Sequence, residues 1–304
     1  MTYEATVLAD SINPAGVRLT TLQIRYPRMV HADLMTHREF SRGASSSRAI
    51  PARVFRRQVR YEPAPPVFWG ANQKGMQAER PLAGWRLPVA KWVFLQSRWL
   101  MIMIHWLLEK LGLHKQLTNR MLEPWMWMTV IVSSTQWNNF YALRCHKDAQ
   151  PEIRRIALLM RRAMRRSDPR ALQAGDWHRP FFRAEDFHAA NVAALDFNPP
   201  SIGTAPITKY DLIANYIACG RCARVSYLTQ DGRRDVREDL ALANERLAPS
   251  GHNSPFEHVA MALPTDERCG NFRGWKQMRK FLPNEDGNAA RWEDSTDGEE
   301  ELIN

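Results

Sequence analysis

The order of apolar and polar residues predicts both strands and helices in this chain. Residues 17–30 (VRLTTLQIRYPRMV) alternate apolar and polar positions and are rich in β-branched residues, which indicates a strand. Residues 151–166 (PEIRRIALLMRRAMRR) instead repeat apolar side chains every three or four positions. Pro151 suits the first position of that helix, and residues 237–247 (REDLALANERL) also favour a helix.

Three other stretches have a weaker or different pattern. Residues 89–111 predict a helix that ends at Gly112. Its most hydrophobic run, residues 99–108, is too short for a membrane span of about 20 residues, so we expect a buried helix of a soluble, cytoplasmic protein. Residues 60–90 are rich in Pro, Gly, Trp and Gln and predict a long loop, and residues 183–210 predict a variable connector.

Composition adds a preference for anionic partners. The 304 residues carry a formal net charge of +10 and a pI of about 9.8. This balance favours nucleotides, nucleic acid or anionic membrane without choosing among them. Because 44% of the residues are hydrophobic, we expect one globular domain over residues 1–290, followed by an acidic tail over residues 291–304. No basic region followed by an apolar stretch opens the sequence, so no secretory signal is predicted.

The cysteines predict neither a disulfide framework nor a metal site. Four cysteines in a chain of this length are too few for a disulfide scaffold. Cys219 and Cys222 form a C-x-x-C pair, but zinc needs two further ligands and no second pair of this kind exists. We therefore expect both residues to be packed in the interior.

Residues 37–48 gather three arginines, one histidine and four serines within twelve positions. A guanidinium group offers a planar fork of donors that matches phosphate, and serine hydroxyls with turn amides can complete an anion cradle. This segment therefore suits a phosphate or pyrophosphate. A solvated polar loop is the alternative interpretation.

The same segment resembles the signature of the flavin-dependent thymidylate synthases, which reads R-H-R, then serine seven residues on and arginine two further. His37 and Arg38 match the second and third signature residues, and Ser46 and Arg48 match the later serine and arginine. The departures are Thr36 for the first arginine, and Gly43 and Ala44 where Asn and Glu are common. These departures affect the expected flavin contact or the reading of the base.

Four other segments are similar to motifs of this family. Residues 251–258 (GHNSPFEH) match a segment that helps to bind flavin and folate. Residues 139–153 (NFYALRCHKDAQPEI) match another, with Asp148 in place of a common histidine. Residues 119–124 (NRMLEP) and 222–227 (CARVSY) are shorter matches. The histidines and glutamate of residues 251–258 could also suggest a metal site, but the intervening proline argues against a zincin-like helix.

The order of these motifs departs from most of the family. The segments A-R-x-S and G-H-x-S-P-x-E-H usually precede the R-H-R signature, whereas here they follow it. A circular permutation explains the order, because domain termini often lie close together. The arrangement is similar to that of phage-type members.

The resemblance implies an α+β fold, with a twisted sheet flanked by helices, and a flavin-dependent enzyme. The implied reaction is methylation of the pyrimidine 5-carbon of dUMP to give dTMP, with methylenetetrahydrofolate as carbon donor, FAD as cofactor and NADPH as reductant. The implied substrate-binding residues are Arg120, Ser46, Arg48 and Arg144, with Arg144 and Ser46 as the catalytic residues. The implied cofactor-binding residues are His37, Arg38, Asn139, Ser226, His252, Ser254 and Glu257. A homotetramer with shared active sites is also implied, in host cytoplasm if the protein is phage-encoded.

Two alternatives stay open. The same chemistry on dCMP would give 5-methyl-dCMP, or a hydroxymethyl product, for modified phage DNA. A protein of another class, a basic nucleic-acid-binding protein without catalysis, would also explain the pI and the arginines of residues 151–166. No known binding module supports nucleic acid as a partner, so we do not expect it, and no membrane partner is expected either.

Overall fold

The structure, a computed structural model, describes residues 3–196, 207–230, 235–283 and 285. The predicted acidic tail, residues 291–304, lies outside them. The strands in the described part are β1 (Glu4–Ile12), β2 (Arg18–Pro27), β3 (Ser41–Ala44), β4 (Trp127–Ser134), β5 (Arg170–Ala171), β6 (Trp177–His178), β7 (Ala260–Ala262), β8 (Arg268–Cys269), β9 (Phe272–Arg273) and β10 (Trp275–Gln277).

The α-helices in the same residues are α1 (His31–Met35), α2 (Ala52–Tyr61), α3 (Arg86–Lys110), α4 (Lys115–Thr118), α5 (Asn138–Arg144), α6 (Pro151–Arg165), α7 (Asp186–Asp196), α8 (Lys209–Arg224) and α9 (Val236–Ala241). Short 3-10 helices cover Arg28–Val30, Asn119–Trp125, Val225–Tyr227, Ser254–Glu257 and Met278–Phe281, and a π-helical turn covers Leu242–Leu247.

The largest sheet has five strands in the order β3-β4-β2-β1-β5. The alternating residues 17–30 form β2, as predicted, and β2 pairs antiparallel with both β1 and β4. The short strand β3, which lies within residues 37–48, pairs antiparallel with β4 at the edge of the sheet. The edge position leaves one side of β3 open to the rest of the chain, which is where the candidate site forms.

Helices cover both faces of this sheet. Alternate residues of β2 and β4, such as Leu22 and Val130, join the apolar stripe of α6 in one core, because successive strand side chains point to opposite faces. On the opposite face, Ile131 packs against Cys222 and Val225 at the end of α8. The prediction of an α+β fold with a sheet flanked by helices is therefore confirmed.

The second half of the chain packs around α8. Every residue from Leu212 to Arg224 is buried, as predicted for Cys219 and Cys222, and both cysteines are free. A Cβ on Gly220 would lie 2.3 Å from the carbonyl oxygen of Asp239, so glycine permits the close crossing of α8 and α9. A three-stranded sheet, β10-β7-β6, completes this region.

Three sequence expectations are corrected by the structure. Residues 186–196 of the predicted connector form α7. The predicted loop over residues 60–90 begins only after α2 ends at Tyr61, and it ends before α3 begins at Arg86.

The third correction concerns burial. Helix α3 confirms the helix predicted over residues 89–111. The expectation that it is buried is wrong, because His105 is its one buried residue and one side of the helix is exposed. Within the described residues, no helix is both long and apolar enough to span a membrane.

Candidate active site

Arg144 joins α5 to the loop that follows α1. Its Nε donates a hydrogen bond to Nε2 of His37 at 3.1 Å, and its terminal nitrogens contact Thr36 Oγ1 at 3.1 Å and the Asp33 carboxylate at 3.4 Å. Two predicted site residues, His37 and Arg144, are thus in direct contact although 107 positions separate them. The arginine remains partly exposed, with a side chain 21% accessible.

The proton on His37 follows from this contact. Arginine can only donate, so Nε2 of His37 accepts and the ring is neutral with its proton on Nδ1. Burial lowers the pKa of His37, and the positive charges of Arg144 and Arg42 lower that pKa further. The imidazole therefore serves as a fixed acceptor that orients the guanidinium group.

Arg42 connects this contact to the turn at residues 251–258. Its guanidinium donates to the carbonyl oxygens of Leu34 at 3.3 Å and Met35 at 2.8 Å, at the end of α1. Burial lowers the pKa of Arg42, and the negative charge of Glu257 opposes that shift. Positive charge from Arg144 and Arg42 therefore extends from α5 towards Glu257.

The turn after residue 250 lines a cavity of about 490 Å³. His252, Ser254 and Glu257 all border this cavity, so the structure brings three predicted cofactor-binding residues together. Arg279 closes one side and forms an ion pair with Glu257 at 2.6 Å. Asn253 Oδ1 and Arg279 Nε are buried and have no hydrogen-bond partner among the described residues, which suits a polar ligand.

The loop that follows β3, residues 45–50, is bonded to distant segments of the chain on two sides, and we call it the signature loop. The backbone N–H of Ser46 donates to the carbonyl oxygen of Ser226 at 3.0 Å. On the other side, Asn119 Nδ2 donates to the carbonyl oxygens of Ser47 at 2.7 Å and Ile50 at 3.2 Å. Because Asn119 is fully buried, these bonds fix the loop to the residue that precedes Arg120.

A buried hydrogen-bonded chain lies beneath the site, on the α8 face of the sheet. It runs through Ser11, His178, Thr21, Ser133 and His258, with successive distances of 2.9, 2.8, 2.6 and 2.8 Å. Burial lowers the pKa of both histidines to about 3, so both are neutral.

Two opposite proton arrangements satisfy this chain. Nε2 of His258, unpartnered in the part of the protein that the structure describes, selects between them, because a buried N–H without a partner is rarer than a buried acceptor without one. If Nδ1 of His258 carries the proton, each hydroxyl donates to the next group and Nδ1 of His178 donates to Ser11. Nε2 of His258 is then a bare acceptor, consistent with its lack of a hydrogen-bond partner among the described residues. A Cβ on Gly43 would lie 3.4 Å from this atom and 2.9 Å from Ile131 Cγ2, which explains why glycine replaces the bulkier family residue.

Among the described residues, the side chains of four predicted site residues make no hydrogen bond or ion pair with the others. Arg38, Arg48 and Asn139 are exposed, and Arg120 is 57% accessible with Glu123 Oε1 at 4.0 Å. Arg48 contacts the site only through its backbone N–H, which donates to Ser46 Oγ at 3.3 Å. Asn139 lies in the first turn of α5, which begins at Asn138.

Several residues of the site were given no role from the sequence. Asp33, Arg279 and His178 lie outside the matched motifs, although the basic run that contains Arg279 was a weak signal for an anion-facing residue. His258 closes the motif of residues 251–258 but was not assigned to the site. Among the residues that the structure describes, no group of three or more His, Cys, Asp or Glu side chains could hold a metal ion.

Comparisons with known proteins give one family match. Residues 117–170 match the sequence profile of the family described as thymidylate synthase complementing protein. This segment contains Arg120, Asn139 and Arg144, and the match confirms the resemblance drawn from the motifs. No curated protein matches the sequence.

Two solved structures are similar at low identity. A UMP/dUMP methylase PolB from Streptomyces cacaoi, bound with 5-Br dUMP, is 13% identical; the similarity covers 54% of this chain and 90% of that chain, with a TM-score of 0.44. The same methylase bound with 5-Br UMP is 14% identical, with 54% of this chain and 88% of that chain covered and a TM-score of 0.40.

Proposed function

The chain is a relative of the thymidylate synthase complementing proteins, and we propose on that basis that it methylates the pyrimidine 5-carbon of a deoxynucleotide monophosphate. The proposed substrate is dUMP, the carbon donor is methylenetetrahydrofolate, and FAD is the cofactor, reduced by NADPH. The observation that carries the proposal is Arg144, which lies in the matched segment and is oriented by His37.

The residues at the site suit a flavin and a nucleotide. The cavity beside His252, Ser254 and Glu257 is lined by hydrogen-bond donors and acceptors, including the unbonded acceptor Asn253 Oδ1. These three side chains, with His37, Arg38, Asn139 and Ser226, would hold the flavin. When bound, reduced flavin would supply a hydride and the folate would supply the carbon, so the cofactors would carry out the hydride and one-carbon transfers.

The chain's own residues would bind, orient and polarise the substrate. Arg48 and Arg120 have exposed side chains whose guanidinium groups would bind the phosphate, and the hydroxyl of Ser46 would add a hydrogen bond. Arg144 would stabilise negative charge that develops on the pyrimidine, because its position is fixed before substrate arrives. The carboxylate of Asp33, 3.4 Å from Arg144, compensates part of its positive charge.

Self-association is part of the proposal, and helix α3 supports it. Seven apolar side chains on one side of this helix are exposed, and we call them the α3 stripe: Trp85, Val89, Trp92, Val93, Leu100, Leu107 and Leu111. Trp92 is 63% and Leu100 54% accessible. Together the stripe exposes roughly 800 Å², about the area that each partner buries in a standard interface.

A second copy of the chain is the proposed occupant of the α3 stripe. Monomers rarely expose apolar patches larger than a few hundred Å². Lys110, at the end of α3, is a charged side chain on this side of the helix, but the apolar residues dominate the surface, and a two-fold axis would pair it with itself. We also propose that residues 1–290 act as one domain, because the Ser46–Ser226 bond joins its two halves.

Anaerobic turnover tests the reaction. Reduced flavin, methylenetetrahydrofolate and either dUMP or dCMP are incubated with the protein, and the product mass is measured. A product 14 mass units heavier than dUMP, the gain of one CH₂ group, supports the proposal, whereas methylated dCMP alone would transfer the same chemistry to the cytosine substrate. A protein that binds no flavin and converts neither nucleotide would overturn it.

A further inference from the structure

Helix α2 presents a row of arginines that the proposed reaction does not use. Arg53, Arg56, Arg57 and Arg60 follow one another at spacings of three, one and three positions, so their directions span about 100° and they fall on one face of the helix. The row is about 10 Å long from Arg53 to Arg60, at 1.5 Å per residue. All four border a groove of about 400 Å³ between α2 and α3.

Most of this positive charge lacks a carboxylate partner. Arg56 forms an ion pair with Glu109 of α3 and contacts Nδ1 of His105 at 3.2 Å. Within the described residues, Arg53, Arg57 and Arg60 have no ion pair with an acidic side chain. Like charges at this spacing destabilise a helix, and a bound anion would remove that cost.

Aromatic side chains border the same arginines. Tyr61 and Trp106 line the groove, and Tyr61 is 65% accessible. The Arg60 guanidinium lies over the rings of Tyr61 at 5.1 Å and Trp99 at 5.6 Å. Rings that are exposed at a basic groove can stack on bases of any sequence.

Together, these features favour a strand over a single phosphate. The row is longer than one phosphate group, and aromatic rings lie on both of its sides, Tyr61 on α2 and Trp106 on α3. We propose that the α2–α3 groove binds single-stranded nucleic acid, with phosphates at the arginines and bases stacked on the rings. The inference goes beyond the proposed reaction, because none of these residues belongs to the candidate active site.

The groove and the α3 stripe meet along α3. Ile102, Met103 and Trp106 border the groove on the flank of α3 that faces α2. Because each residue advances the direction by about 100°, Ile102 and Trp106 point about 140° and 100° away from Leu107, whereas Met103 lies on the same side as Leu100 and Leu107. The arginine row itself lies on α2, beyond this shared edge.

Binding of a fluorescein-labelled 15-nucleotide oligo-dT, followed by anisotropy at several salt concentrations, tests the inference. Wild-type protein should bind it, and affinity should fall as salt rises. The triple variant R53Q/R57Q/R60Q should bind at least tenfold more weakly, and the slope of log affinity against log salt should lose about two units. The matched control R162Q/R165Q/R166Q removes the same charge from exposed positions at the end of α6 and should change affinity less than threefold.

A second variant separates stacking from charge. Y61L/W106L should weaken oligo-dT binding by about 5- to 100-fold and leave the salt slope unchanged. Circular dichroism verifies folding of each variant, and turnover of the nucleotide monophosphate should be retained in all of them. The inference is overturned if the α6 control loses as much oligo-dT affinity as R53Q/R57Q/R60Q, or if R53Q/R57Q/R60Q binds oligo-dT as tightly as wild type. It is also overturned if dUMP displaces labelled oligo-dT as well as unlabelled oligo-dT does at the same phosphate concentration. If the wild-type protein binds oligo-dT but converts neither nucleotide monophosphate, the proposed reaction is wrong and the inference about the groove stands.

Discussion

The backbone N–H of Ser46 donates a hydrogen bond to the carbonyl oxygen of Ser226 at 3.0 Å, across 180 positions of the chain. These two serines lie in motifs whose order is reversed relative to most flavin-dependent thymidylate synthases. A circular permutation predicts that the two motifs lie close together in space, and this bond joins them in this chain. The signature loop and the A-R-x-S segment can therefore act on one ligand.

Replacing Arg144 by alanine tests the proposed role of its charge. We expect turnover of dUMP to fall by about 10²- to 10³-fold, because a preorganised cation opposite the developing negative charge is lost. Flavin binding, measured by the absorbance of the purified protein, should stay unchanged. R161A, on the neighbouring helix α6, is the control and should keep full turnover; an R144A variant as active as the control would contradict the role.

Asn119 is expected to act on the substrate through the signature loop. N119A removes the bonds to the Ser47 and Ile50 carbonyls and leaves His105 Nε2 without its acceptor at 3.1 Å. The free energy of unfolding should fall by about 1–3 kcal/mol, and KM for the nucleotide should rise more than kcat falls.

Asn13 provides the matched control for this change. Its amide donates to three carbonyl groups, of Leu263, Thr265 and Gly274, none of which belongs to residues 45–50. N13A should lose similar stability and keep its KM. Equal KM values for N119A and N13A would exclude a positioning role for Asn119.

The periodic elements could be predicted from sequence, and the partners of the charged residues could not. Strand β2 and helix α6 follow from alternation and from the apolar stripe, because local repeats decide which face is buried. The family resemblance also named Arg144 and His37, which the structure places in contact. It could not show that Arg42 would donate to the end of α1, since that contact depends on how β3 pairs with β4.

Helix α3 illustrates another limit. Its sequence is apolar around most of its circumference, and such a pattern is typical of a helix buried on all sides. In the structure, Phe94, Met101 and Ile102 pack on the core beneath, while the opposite side forms the exposed stripe. Sequence periodicity cannot distinguish burial within one chain from burial between copies.

The α3 stripe predicts a measurable change in mass. W92E/L100E places two charges in the proposed interface, so the variant should sediment as a smaller species than wild type in analytical ultracentrifugation at the same concentration. L158E/V192E, at exposed apolar positions on α6 and α7, is the control and should sediment like wild type. A wild-type protein that is monomeric throughout would refute self-association through this surface.

Stability should depend on pH through the buried histidine chain. The pKa of a histidine in an unfolded chain is about 6.5, whereas burial lowers those of His178 and His258 to about 3. Between these values the unfolded chain binds more protons, so the free energy of unfolding falls as pH drops below about 6.5, by roughly 1.4 kcal/mol per pH unit for each histidine.

Urea unfolding at pH 7 and pH 5 measures this dependence. H258N keeps a donor near the position of Nδ1 but cannot titrate, so the fall between the two pH values should shrink by about half of the contribution from this pair. H188N, at an exposed position, should leave the fall unchanged. Equal stability of wild-type protein at both pH values would show that these histidines are not neutral and buried in solution.

The ion pairs of Asp239 should contribute far more to stability than those at the surface. Its carboxylate accepts from Arg221 at 2.9 Å and Arg224 at 2.5 Å, and Asp239 is fully buried. D239N leaves both guanidinium groups under-compensated, so the free energy of unfolding should fall by about 3–5 kcal/mol. The same substitution at exposed Asp266, which pairs with Arg273 at 2.5 Å, should cost less than about 1 kcal/mol. Comparable losses in the two variants would mean that water reaches Asp239, and that packing rather than charge holds α8 against α9.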